Sequence, residues 1–196
     1  MRTSICLSTG AALGCALLLG HTASRAQVPQ SFAPRYVTAA SVRDVMAAII
    51  DPAADEVWEA VSFTDGVDGT TSTAPRTDED WKRVRRGALA LIEGANLLLM
   101  PGRRVAQPGE GSAAPGDELH PDEIAVLIRK DPRAWSNMTD ALRRAADEAL
   151  RAIDARDSDR LFDVGERIEI ACESCHTRFW YPNQRLPPGY GAPGGQ

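Results

Sequence analysis

Apolar residues recur at three- and four-residue intervals in four stretches of the chain, and each stretch reads as one face of a helix. In the first, Val42, Met46, Ile49, Ala53, Val57 and Ala60 keep that spacing, and Thr38 or Ser41 can cap its start. Asp51-Pro52 interrupts it. Proline removes a backbone donor and its ring clashes with the preceding turn, so the pattern predicts a kink, or a break with Asp51 as a fresh cap. The second stretch opens on Thr77-Asp78-Glu79-Asp80, a cap followed by three acids that suit the positive end of a helix dipole. Trp81, Val84, Ala88, Leu91, Ala95 and Leu99 give it an apolar stripe, and Pro101-Gly102 stops it. Asp131-Pro132 opens the third, whose stripe of Trp135, Met138, Leu142, Ala145, Ala149 and Ala152 is the most regular. After a short break near Arg156-Asp157-Ser158, the fourth carries Leu161, Val164, Ile168, Cys172, Cys175 and Phe179 on one face.

Between these stretches the sequence reads as connection. Residues 64–76 are rich in Gly, Thr, Ser and Asp and predict a loop. Residues 101–121 form the longest link, with His120 at its far end beside a short helix over Pro121 to Lys130. No segment alternates with the period of a strand and no repeat stands out. The predicted class is all-α, an up-down-up-down four-helix bundle occupying residues 38–181. Residues 27–37 are a polar lead-in, and residues 182–196 are a Pro/Gly-rich tail.

The start of the chain changes the picture of where the protein works. Arg2 followed by the apolar run Ala11 to Leu19 and the small-x-small site Ser24-Arg25-Ala26 predicts an export signal over residues 1–26, hence a periplasmic protein. A rival reading makes Cys15 a lipidated first residue, but the apolar run continues past it as Ala16-Leu17-Leu18-Leu19. No stretch is long enough for a transmembrane span. Removing residues 1–26 takes away two arginines and no acids and moves the formal charge from −5 to −7. That balance argues against nucleic acid or an anionic membrane as a partner and permits a partner with a basic face. Cys6 and Cys15 leave with the signal, so Cys172 and Cys175 are the remaining thiols.

Those two belong to Cys172-Glu173-Ser174-Cys175-His176. Two thiols three residues apart and an adjacent imidazole are what covalent haem attachment requires. Each thiol can add across a haem vinyl group to make a thioether, and His176 can ligate the iron from below. On a helix, residues 172 and 175 share a face, so one porphyrin edge can be stitched to one stripe. A lone pair of thiols in an oxidising compartment can also be a disulfide. A tetrahedral zinc would need a fourth ligand, from His120 or a carboxylate. A thioredoxin-like redox site would need a βαβ context, which is missing. The adjacent histidine and the export signal favour haem c, one group, covalently bound.

In an antiparallel bundle, the end holding the motif also collects the start of helix one, the end of helix two and the start of helix three. Met46, Met100 and Met138 lie in those regions. A thioether sulfur opposite His176 would complete a six-coordinate iron, and Met46 is the leading candidate distal ligand. Methionine at such positions is otherwise core filler. Trp58, Trp81 and Trp135 read as core anchors, and Trp180-Tyr181 as a seal over the open haem edge.

Four helices with a single Cys-x-x-Cys-His late in the last resemble the cytochrome c′ and cytochrome c-556 superfamily. On that resemblance Cys172 and Cys175 match the thioether positions, His176 the proximal ligand, and Phe179 the aromatic three residues on. In Met-ligated relatives the distal methionine comes from the first helix, where Met46 sits. In pentacoordinate members an apolar first-helix side chain covers the iron instead, a part open to Val42, Val45 or Ile49. Family members commonly carry a basic residue four positions after the histidine, where this chain has Trp180; Arg178 offers a displaced charge for a haem propionate. Pairing through the first two helices into a homodimer is a further family expectation.

The expected function is single-electron transfer with redox partner proteins, by an exported monohaem cytochrome that is not an enzyme. The alternative is a pentacoordinate protein that binds NO or CO. No Ser/His/Asp set, paired acid-base carboxylates or phosphate loop stands out to support catalysis.

Overall fold

All four apolar stripes are helical, the first two to within two residues of their ends, in the computed structural model, which describes residues 36–67 and 69–184. The export-signal reading of residues 1–26, with Cys15, and the tail from residue 185 onward lie outside the described residues. Most of the described chain is helix: α1 (Val42–Val45), a π-helical turn (Met46–Ile50), α2 (Asp51–Trp58), α3 (Asp78–Leu98), α4 (Pro121–Lys130), α5 (Pro132–Asp154) and α6 (Ser158–Phe179). Among the described residues no helix is long and apolar enough to cross a membrane.

Local chemistry sets most of the boundaries. Ser41 caps α1: its hydroxyl accepts from the Asp44 N–H at 3.1 Å, and the Asp44 carboxylate accepts from the Ser41 N–H at 2.8 Å. Thr77 and Asp80 repeat that reciprocal pair at the start of α3. Asp131 and Asp157 cap α5 and α6 through their side chains. The connection after α3 completes the start of α1, because the Val42 and Arg43 N–H groups donate to the carbonyls of Arg104 and Val105 at 2.8 and 3.0 Å.

Two expectations are corrected. Asp51 is neither a break nor a fresh cap; its backbone is helical, with φ −57° and ψ −57°, and α1, the π-turn and α2 form one helical path. Pro52 cannot supply the N–H of a regular turn, and the wider turn before it absorbs the mismatch, with the Asp51 N–H donating to the Met46 carbonyl. Residues 64–76 are not all loop. Strands β1 (Ser62–Gly66) and β2 (Gly69–Thr73) pair antiparallel, from Ser62 opposite Thr73 to Gly66 opposite Gly69. Threonine at positions 70, 71 and 73 favours extended backbone, and Asp-Gly at the tip favours a tight reversal. Phe63 fastens the hairpin to α6 by an edge-to-face contact with Phe162, 4.9 Å between centroids.

The core lies where α5 packs on α3 and on α6, with α2 and the π-turn against α3. Ala145, Ala146, Ala149 and Ala152 on α5 are buried and small, which brings its neighbours close. Gly94 on α3 does the same for the π-turn: a Cβ there would lie 2.7 Å from Ile50 Cγ1. Leu91, Ile168 and Phe179 fill the space between.

Candidate functional site

The motif stays helical because the stripe of α6 runs through it. Leu161, Val164, Ile168, Ala171, Cys175 and Phe179 are buried, and Cys172 is half-buried beside them. That offset puts Cys175 against the core and Cys172 at the edge of a cavity of about 830 Å3. Both thiols are free. Burial pushes each up to about 12, so both are neutral S–H groups at ordinary pH. His176 lines the same cavity. Burial holds its imidazole below the usual range, against the opposing charges of Glu173, Asp51 and Glu118, which favours a neutral ring with a lone pair to give.

Helices remote in sequence complete the walls. Met46 comes from the π-turn, Met138 and Leu142 from α5, Leu98 from the end of α3 and Trp58 from α2. Trp58 is fixed by its indole N–H, which donates to the Gly165 carbonyl at 3.1 Å. Trp180 and Tyr181 close the side next to the motif. The Trp180 and Tyr181 N–H groups both donate to the His176 carbonyl, at 2.7 and 3.0 Å, and the Trp180 carbonyl accepts from Leu119. Trp180 then stacks on Trp135.

The walls carry soft sulfur donors, one imidazole and mainly apolar surface, with acids at Asp51, Asp117, Glu118 and Glu173. No family model, curated protein or solved structure matches the chain. The donor set and its surroundings therefore carry the reading of this site.

Of the predicted residues, Met46, Cys172, Cys175 and His176 line one cavity, with Met138 among them. Met100 does not join them; its sulfur accepts from Arg103 Nη2 at 3.2 Å, on the loop beyond α3. His120 is elsewhere too, capping α4 with its Nδ1 3.4 Å from the Asp122 N–H. Phe179 is in the core, edge-on to Trp135 at 5.4 Å, and is not a lining residue. Arg178 pairs with Asp131 at 3.0 Å on the cap of α5 and does not line the cavity. Val42 and Val45 are buried, Val42 against a second cavity.

Sequence reasoning missed two features. Arg43 is the cation among the described lining residues, donating to the Gly111 carbonyl at 2.6 Å and lying 4.0 Å from Glu118. Its sequence signal is its place one turn before the π-turn. The other is a side-chain group around the histidine. Tyr181 donates its O–H to both carboxylate oxygens of Glu173, at 3.2 and 3.1 Å, and Glu173 Oε1 lies 4.0 Å from His176 Nδ1. Burial, with the Glu173 charge behind it, raises the Tyr181 phenol well above its ordinary range, so it remains a donor.

Proposed function

We propose that the chain is an exported monohaem c-type cytochrome of the cytochrome c′ and c-556 kind, with an up-down-up-down four-helix bundle around one haem c. The observation that carries this is the convergence of Cys172, Cys175, His176 and Met46 on one cavity. Its volume suits a bound cofactor, for which sites of about 300–1,000 Å3 are usual. The chemistry of the residues fits as well: two free, protonated thiols for thioether bonds and a neutral imidazole for iron. Bound haem would supply a single-electron couple exchanged with redox partner proteins.

The chain's own residues do the rest. Cys172 and Cys175 would anchor a haem, His176 would supply its proximal ligand and Met46 its distal one, with Met138 lining the same cavity. Arg43, which lines the cavity, would meet a haem propionate in place of Arg178, which does not line it. Trp180 and Tyr181 exclude water from the proximal side. Ala47, Ile50 and Ala54, which line the cavity near Met46 in the chain, favour one further reading, a pentacoordinate site for NO or CO beside apolar groups.

Expression with a c-type maturation system followed by haem staining of the denatured protein tests attachment; a folded, unstained product sinks both haem readings. Met46→Ala is expected to convert a low-spin ferric spectrum to high spin. A wild-type protein that is already high spin and five-coordinate overturns Met46 as ligand and leaves the gas-binding reading.

A further inference from the structure

We infer that Glu173 and Tyr181 form a positioning pair that orients His176 and raises its basicity as a ligand, lowering the potential of the bound haem. The inference rests on the haem reading above and goes beyond it, because it assigns a task to two residues outside the ligand set.

The geometry is built at the end of α6. Glu173 is one helical turn before His176, so its carboxylate reaches the ring from the same face. Oε1 lies 4.0 Å from Nδ1, which makes Glu173 the acid within ion-pair distance of the imidazole. The Nδ1 edge is thereby turned to the carboxylate, leaving Nε2 as the nitrogen for a metal. Tyr181 holds the acid in place by donating to both of its oxygens. Tyr181 is itself fixed, because its backbone N–H bonds the His176 carbonyl at 3.0 Å and its ring meets the imidazole edge-on, 5.8 Å between centroids. The phenol is bonded to the acid, its backbone is bonded to that of the histidine, and the acid faces the imidazole across 4.0 Å.

A ligating histidine that donates its second ring N–H to a carboxylate is held in one tautomer and becomes a stronger donor, and Glu173, 4.0 Å away, is the carboxylate placed to accept that bond. A stronger donor, with a negative charge behind it, favours ferric over ferrous iron. Asp51 also faces this region from α2, as Glu118 does from the loop before α4, so a general acidic field is the competing cause. It acts through space and leaves the ligand's own character unchanged.

The experiment compares Glu173→Gln, Tyr181→Phe, their double variant and Asp51→Asn in the haem-loaded protein. The readouts are midpoint potential and an axial-ligand signature: the g-anisotropy of a low-spin ferric haem, or the iron–histidine stretch of a five-coordinate ferrous haem. Glu173→Gln is expected to raise the potential and change the signature. Tyr181→Phe should do both to a smaller degree, and the double variant should match Glu173→Gln alone, since the phenol acts only through the acid. Asp51→Asn should shift the potential less and leave the signature as it was. Equal shifts in Glu173→Gln and Asp51→Asn with an unchanged signature overturn the inference, as do unchanged potentials in Glu173→Gln and Tyr181→Phe. If Glu173→Gln does not fold, the potential and signature of Tyr181→Phe decide. Absence of covalent haem from the wild-type protein is a separate failure, of the haem reading itself.

Discussion

Two cavities of nearly equal size lie side by side in this protein, about 830 Å3 around the Cys-x-x-Cys-His motif and about 840 Å3 beneath the loop that follows α3. Leu98 lines both, and Trp135 on the second stacks with Trp180 on the first. Their chemistry differs. Around the second, Arg103 and Gln107 hold the loop to the helices. Arg103 donates to the carbonyls of Leu97 and Ala40, and Gln107 donates to Ala39 and to Asp44. Around the first, two free thiols, an imidazole and a thioether converge from α6 and the π-turn. Volume therefore does not separate a binding site from a structural gap. What separates them is the set of thiols, thioether and imidazole that the fold does not use for its own hydrogen bonds.

The largest effect that could break this contrast comes from the thiols. Replacing Cys172 and Cys175 together by serine is expected to abolish covalent haem attachment, while His120→Ala at the second cavity leaves it intact. Haem staining after denaturing electrophoresis checks both, and staining of the double serine variant would end the distinction. A smaller effect sharpens it. Gly94→Ala places a methyl group 2.7 Å from Ile50 Cγ1, on the wall of the motif cavity. Overpacking of that kind costs about 1–3 kcal/mol, measurable by urea denaturation, and should disturb the haem spectrum as well. The smallest is far from both cavities, at the other end of α3. Thr77→Ala removes the cap and should cost about 1 kcal/mol with no spectral change. The cap also carries a pH signature. Thr77 and the neighbouring backbone hold the Asp80 carboxyl down at about 2, against an ordinary 3.8. A lowered folded-state value means the stabilisation is present above 3.8 and is lost as pH falls toward about 2. Denaturation curves across that window should fall more steeply in the wild type than in Thr77→Ala.

Legibility in the sequence followed the range of the interactions involved. The starts of α3, α5 and α6 were readable because Thr77, Asp131 and Asp157 act on backbone groups three residues away. The π-turn was not, because it balances the missing N–H of Pro52 against close packing on Gly94, more than forty positions along the chain. The hairpin escaped for another reason. The residues of β2 are all exposed, so no alternation of buried and open positions marks them. Its presence leaves the helical class intact and adds a two-stranded flap to it.

The candidate site divides in the same way. The spacing of Cys172, Cys175 and His176 determined, by itself, which side chains share a face and what chemistry they can offer, since a helix places neighbours by local geometry alone. Which methionines face them was a tertiary matter. Met46 and Met138 lie within helical paths that pack around α6, whereas Met100 falls two residues past the end of α3 and follows the loop to Arg103. The pairing of Glu173 with Tyr181 was tertiary too, because it depends on how the chain turns after Phe179 and not on a repeat of the helix. Composition and period can specify a helix and the groups along one side of it. Only packing decides what those groups look at.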